Sequence, residues 1–155
     1  PHPYMKSLFI KIRDNLIGFN YIPTRKIYIN RHDALYRKVL NEPEIIDTLQ
    51  HMGYESISLS DRTINEQIEI FASATHIVSP HGAGLTNILF CNSSVKILEL
   101  SNSNWCYRRL SLMLGIDYGH IGMEISSDSG LAHNDKSFYV NIETLKAAIV
   151  CMEKS

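Results

Sequence analysis

Residues 76–90 read HIVSPHGAGLTNILF, and three kinds of local chemistry follow one another in that stretch. Ile77 and Val78 are a short apolar, β-branched run of the kind that fills a strand buried in a parallel sheet. Pro80 ends the strand, because it has no N–H to give a ladder. Gly82, Ala83 and Gly84 follow, and then Leu85, Ile88 and Leu89 at the i, i+3, i+4 spacing of a helix with one buried face. The order is strand, glycine turn, helix. The first N–H groups of such a helix have no partner inside it, and with the positive end of its dipole they suit an anion above the turn. Phosphate is the expected guest, and glycine lets it approach because no Cβ intervenes. His81, at the tip of the turn, either donates to a phosphate or sugar oxygen or is a plain turn residue bonded to a nearby carbonyl. For one of Gly82 and Gly84 the alternative is tight packing of helix against strand.

The chain has 155 residues, one domain by length and enough to bury a core without staples. A formal net charge of -1 excludes bulk attraction to nucleic acid or to an anionic membrane, so anion binding has to be local. No apolar run approaches bilayer length and the start, PHPYMKS, lacks the pattern of a signal peptide. A first residue that is proline suggests a fragment of a longer protein. Cys91, Cys106 and Cys151 fit neither a zinc nor a redox spacing and read as free thiols, with a Cys91–Cys106 pair left open. Free thiols favour a cytoplasmic setting, with the lumen of the endoplasmic reticulum or Golgi as the alternative.

Around the central stretch the sequence predicts alternating helices and strands. Tyr4 to Ile17 has Leu8, Ile12 and Leu16 at helical spacing and Gly18 as its stop. KIYIN, 26–30, is a strand, and a helix follows with Asn41 as N-cap, Pro43 in its first turn and Gly53 at its end. SISLS, 56–60, alternates as a half-buried edge strand, and Thr63 to Ala74 is a second crossover helix. VKILEL is the strand after the central motif. WCYRRLSLMLG is a helix with Cys106, Leu110, Met113 and Leu114 inward, and Tyr118 to Met123 is a short fifth strand. The polar run from Glu124 to Ser137 is a loop long enough to move or to act as a lid, and Ile142 to Met152 is a closing amphipathic helix.

This alternation specifies a Rossmann-like α/β fold, a three-layer doubly wound parallel sheet of about five strands in the order 2-1-3-4-5. In that order the chain reverses between strands one and three, and ligands bind outside the carboxyl ends at such a switch point. Asn30 to Asp33 and Ser79 to Gly84 therefore face one crevice. Arg31 beside a helix N-terminus suits a diphosphate. Arg37 adds a second charge or is simply solvated beside Lys38. Thr86 and Asn87, in the first turn after the glycines, can hold a ribose or sugar hydroxyl, and Asn87 can equally be merely exposed. Glu99, near the end of strand four, either accepts from hydroxyls in the crevice or pairs with Arg108 or Arg109. Glu42 and Glu66 can reach the site from helix starts, or only complement the dipoles there. No Asp-x-Asp pair, HExxH or His/Cys cluster appears, so no metal site is expected.

KIYINRHDALYRKVLNEPEI (26–45), NEQIEIFASATHIVSPHGAGLTNILF (65–90) and VKILEL (95–100) together resemble the glycosyltransferase 61 family. That family includes capsular-polysaccharide, plant xylosyl- and protein O-GlcNAc-transferases. The resemblance runs from about Lys26 to Gly115, and its HGAGLTN block is specific. It implies the nucleotide-sugar-binding half of a GT-B fold, covering residues 1–155, that transfers a sugar to a hydroxyl of a glycan or protein with inversion and without a metal. By the same resemblance Arg31, Asn41, Glu42, Glu66, His81, Gly82, Gly84, Asn87 and Glu99 match positions of the family pattern. No cofactor is implied; the donor is a nucleotide sugar, UDP-linked as the first choice. The general base is His81, the only imidazole in the motif, or comes from the other half, an N-terminal Rossmann-like domain. Where that domain docks, an exposed apolar face is expected around Tyr4, Leu8 and Ile12, on which two copies of the chain can also pair. Two further classes share the crevice. An NAD-dependent oxidoreductase is disfavoured because the turn lacks a full GxGxxG and follows strand three, and a non-catalytic nucleotide-binding module is the third reading.

Overall fold

Ile27, Tyr28 and Ile29 are all buried, Ile27 and Ile29 in the core on one face of a sheet and Tyr28 in the core on the other. A strand loaded on both faces is a central one. The computed structural model describes residues 3–18, 21–102, 105–127 and 136–154. Five parallel strands, β1 (Arg25–Ile29), β2 (Tyr54–Ile57), β3 (Ala74–Pro80), β4 (Lys96–Leu100) and β5 (Asp117–Ile121), lie in the order β2-β1-β3-β4-β5. The predicted order stands. Helices α1 (Pro3–Ile17), α3 (Ile64–Ala72) and α4 (Cys106–Leu114) lie on the Ile27/Ile29 side. Helices α2 (Glu42–His51) and α5 (Ile142–Lys154) cover the Tyr28 side, where Ile45, Leu49, Leu145 and Ile149 are buried. Among the described residues no helix is long and apolar enough to cross a membrane.

Several local predictions need correction. β2 is Tyr54–Ile57, not 56–60, because β1 offers no ladder beyond Ile29: the register runs from Lys26↔Tyr54 to Ile29↔Ile57. The helix after the glycines, Ala83–Phe90, is a 3-10 helix. Leu85 donates to Gly82 (3.0 Å) and Cys91 to Ile88 (3.1 Å), and the three-residue turn stacks Leu85, Ile88 and Cys91 in one row on the core. Cys91 is a free thiol sealed in that core, which removes the pairing with Cys106. In α4 the inward stripe is Tyr107, Ser111 and Leu114; Cys106 and Met113 face out. Gly115 stops α4 in the left-handed region, φ 68°. Asn41 sits at the start of α2 without capping it. Its amide instead donates to the Val140 carbonyl (2.8 Å) and accepts from the Val140 N–H (3.1 Å).

The polar run from Glu124 is not all loop. β6 (Glu124–Ile125) and β7 (Phe138–Tyr139) pair antiparallel, and Phe138 also bridges to Val39. Residues 128–135, on which most of the lid expectation falls, lie outside the described residues. On α1, Tyr4, Leu8 and Ile12 are exposed, at 67, 39 and 41%. The opposite side sets Phe9 edge-on to Phe90 and lets Arg13 donate to the Cys91 carbonyl.

At the amino end of the sheet Lys26, His76 and Lys96 stand in one cross-strand row. Burial, reinforced by the Lys26 ammonium, holds the His76 imidazole below its ordinary value. The unfolded chain therefore takes up a proton near pH 6.5 that the folded chain still refuses, and stability falls as pH drops through that value towards the folded one. His76→Gln is expected to flatten this part of a stability-against-pH curve, measured by urea unfolding at pH about 7.5 and about 5.5. An unchanged slope refutes the assignment.

Candidate active site

The chain leaves β1 towards α2 on one face and β3 towards the 3-10 helix on the other, so a crevice opens at their carboxyl ends. Arg31 spans it. Its backbone N–H donates to Glu42 Oε1 (2.9 Å), and its Nη1 donates to the His81 carbonyl (2.7 Å). Arg31 Nε is buried without a hydrogen-bond partner. Burial first, and then the Arg37 charge, pull the guanidinium below its ordinary value, though not out of the charged state. Arg37 thus stands near enough to act on Arg31, and on Tyr107 as well. It is partly buried and holds a left-handed backbone, φ 57°. A non-glycine residue in that region is uncommon, and the strain is maintained where the surrounding contacts fix the loop. Beside Arg31 a hollow of about 230 Å³ is lined by His32, Lys38 and Glu42.

Glu42 is the first residue of α2 and only 6% exposed. It does more than complement the dipole: Oε1 accepts from Tyr28 Oη (2.9 Å) as well as from Arg31 N–H. Tyr28 is fully buried, and its phenol is pushed far up by burial and by Glu42.

On the other wall Glu99 is fully buried. It pairs with neither Arg108 nor Arg109. One oxygen meets His81 Nδ1 at 2.5 Å and the other accepts from Tyr118 Oη. Arg108 instead lies over the Trp105 ring, 4.8 Å from its centroid. The His81 ring packs against Tyr107, centroids 5.3 Å apart, and Tyr107 Oη donates to the Gly82 carbonyl (2.7 Å). His81 N–H donates to Leu100 O (3.1 Å), which extends the β3–β4 ladder past Pro80 and sets the ring over Glu99.

Gly82 is extended, φ 175°, so backbone strain does not call for glycine there. A Cβ on it would lie 2.4 Å from Arg31 Nη1. The glycine makes room for the guanidinium, where the sequence reading assigns that space to phosphate. Gly84 is the packing glycine: a Cβ would meet Leu59 Cδ1 at 2.8 Å. Ala83 and Thr86 are exposed on the 3-10 helix, Thr86 beside the Tyr107 hydroxyl.

Three predicted residues are engaged elsewhere. Asn87 donates to Gln67 Oε1 (2.8 Å) and so ties the 3-10 helix to α3. Glu66 forms a capping box with Thr63, whose hydroxyl and N–H hold its carboxyl below the usual range. Asn41 is held by Val140. The structure therefore brings together Arg31, Arg37, Glu42, His81, Gly82 and Glu99. Sequence reasoning missed Tyr28, Tyr107 and Tyr118. Tyr118 is a diagonal neighbour of Glu99, given the register Ile97↔Tyr118 and Glu99↔His120, and Tyr107 heads the true inward stripe of α4.

Such a constellation, a guanidinium pair opposite an imidazole oriented by a buried carboxylate, suits departure of an anion and removal of a proton. The sequence profile of the family described as Glycosyltransferase 61 matches residues 1–98, which contain Arg31, Arg37, Glu42, His81 and Gly82. The chain belongs to the glycosyltransferase 61 family. Its similar proteins include the EGF domain-specific O-linked N-acetylglucosamine transferase of Drosophila melanogaster, 32% identical over 62% of this chain and 20% of the fly protein. The mouse protein of that name is 31% identical over 60% of this chain and 19% of its own length, and the chicken one 31% over 54% and 17%. The matched segments thus span about a fifth of these curated relatives. The glycosyltransferase 61 match ends at residue 98, one position before Glu99, and it is the structure that ties Tyr107 and Tyr118, which the sequence reading did not single out, to the crevice.

Proposed function

We propose that this chain is the donor-binding part of a glycosyltransferase that moves a sugar from a nucleoside diphosphate, UDP as the first choice, to a hydroxyl of a glycan or protein. Family membership supports the reaction class. The observation that carries the donor site is Arg31, laid across the switch-point crevice with a buried Nε–H that lacks an acceptor and with Arg37 nearby. A diphosphate supplies the acceptor and the negative charge together. The relatives carry O-linked N-acetylglucosamine transferase in their name, which favours an N-acetylglucosamine donor and an oxygen acceptor.

In the proposed chemistry the acceptor oxygen bonds to the anomeric carbon while the bond from that carbon to the diphosphate oxygen breaks on the opposite side, which inverts the centre. The electron pair leaves on the diphosphate, where Arg31 and Arg37 meet the growing charge. The hydroxyl proton passes to His81 Nε2, the lone-pair nitrogen when Nδ1–H points at Glu99. Two guanidiniums take the place that a divalent ion holds in other transferases, so the proposed donor site works without metal. The remainder of the reaction surface is attributed to chain present in the longer relatives.

Calorimetric titration with UDP, GDP, CDP and dTDP tests this reading. UDP heat that persists in chelator and is weakened roughly 10- to 100-fold by Arg31→Ala is the expected result, the loss of one or two charge-assisted hydrogen bonds. Arg31→Lys should restore little, since an ammonium carries its donors on one nitrogen and lacks the planar spread with which a guanidinium reaches the His81 carbonyl and phosphate at once. No heat with any diphosphate at millimolar concentration defeats the reading.

A further inference from the structure

Tyr118 lies on β5, beyond the residues matched by the family, and its hydroxyl is aimed into the protein at Glu99 Oε2. Glu99 has a fully buried carboxylate, and the groups that bond it among the described residues are Tyr118 on one oxygen and His81 Nδ1 on the other. A buried carboxylate shared between two donors divides its charge between them. We propose that Tyr118 is a positioning residue, which through Glu99 fixes His81 as the Nδ1–H tautomer and sets how readily its Nε2 takes a proton. As a statement about catalysis this rests on the reading of His81 as the base; as a statement about the three side chains it stands on their geometry.

The arrangement follows from the sheet. Glu99 and Ile97 point to the α4 side of β4, and Tyr118, opposite Ile97, projects on the same side one diagonal step from Glu99. The stack of Tyr118 on His120, ring centroids 6.4 Å apart, keeps the phenol in line along the edge strand. Burial, and then the bond to Glu99, push the Tyr118 phenol well up, so that it stays a donor to Glu99. The Glu99 oxygen that Tyr118 occupies is also denied to a proton or a second ring conformer. His81 is thereby held to one of its two tautomers, and a base needs its lone pair on the nitrogen that faces the reacting hydroxyl.

Other charged and titratable groups face this trio from every neighbouring element. From the β1 loop Arg31 bonds the His81 carbonyl and Arg37 stands behind Tyr107; from α4 come Tyr107 against the ring, Cys106 beside Glu99 and Tyr118, and Arg108 towards Tyr118. None of these places a donor on Glu99, so among the described residues removal of the Tyr118 hydroxyl leaves Glu99 with His81 alone. Its charge then falls more fully on the imidazolium.

The test is a nitrogen-15 and proton NMR titration of His81 in the 155-residue chain, with the resonance assigned through His81→Gln. The wild type is expected to show the Nδ1–H tautomer, and Tyr118→Phe to move the midpoint of the His81 titration upward and the Nδ1 proton downfield. Glu99→Gln is expected to move the midpoint down and to mix the tautomers. The exposed His51 serves as a control for a retained fold, and a shift at His81 that leaves His51 unmoved supports the coupling. A midpoint and tautomer in Tyr118→Phe identical to wild type overturn the proposal, as does an Nε2–H tautomer in the wild type. Loss of UDP binding, with the His81 shift intact, would refute the donor site and leave this coupling standing.

Discussion

Gly82→Ala is expected to weaken UDP binding by roughly 10- to 100-fold, as much as loss of the Arg31 side chain itself. A Cβ there falls on Arg31 Nη1, well inside contact distance, and the end of the guanidinium has to shift from its place against the His81 carbonyl. The effect is indirect, which makes it separable from a clash with ligand. In an Arg31→Ala background Gly82→Ala should cost almost nothing further, whereas independent contacts of phosphate with the Gly82 backbone would make the two losses add. Calorimetry on the four proteins of this cycle decides between the two, and additivity sinks the explanation given for Gly82.

Glu42→Ala is expected to lower stability by about 3 kcal/mol, the largest effect among the crevice residues, read as a fall in the urea midpoint at unchanged slope. The carboxylate is buried and accepts from two donors, one of them the hydroxyl of Tyr28, which has no exposure at all. Alanine leaves that hydroxyl without an acceptor inside the sheet, and leaves the Arg31 N–H without one as well. Pairing Glu42→Leu with Tyr28→Phe removes donor and acceptor together and should cost less than the sum of the single changes. A cost for Glu42→Ala within about 0.5 kcal/mol of zero would return Glu42 to the role of a solvated dipole partner.

The order of strands was legible because apolar runs of four to six residues alternate with longer stretches of helical period, and few topologies accommodate that pattern. Boundaries were less so. SISLS alternates where YESI does not, yet what selects Tyr54–Ile57 is the end of β1, information that another segment holds. Leu85 and Ile88 are spaced alike in an α-helix and a 3-10 helix, so period alone does not separate the two. α4 carries two apolar stripes, and the one with Tyr107 lies inward because that side chain reaches Gly82.

In the crevice, Arg31, His81 and Glu99 were legible from topology, since all three stand at or just past the carboxyl ends of neighbouring strands. Their partners were not. Tyr118 and Tyr28 act through hydroxyls at the far ends of long side chains, and only strand register and the approach of α2 bring those ends to a carboxylate. Glu66 lies in the first turn of its helix as expected, whereas Asn87 falls past the first turn of the 3-10 helix, and local partners, Thr63 and Gln67, hold them.

The attachment of residues 38–41 to the far end of the chain has a consequence for the time at which the site appears. Lys38 O accepts from Phe138, Leu40 donates to Phe138 O, and the Asn41 amide grips both sides of Val140, a contact across 99 residues. On a ribosome the first four strands have emerged some tens of residues before Phe138, so the sheet can assemble while the Arg37 loop is still unanchored. Vectorial synthesis therefore leaves the Arg37 loop unanchored until β7 has emerged, and a chain cut before β7 would carry the sheet without the contacts that hold residues 38–41 in place.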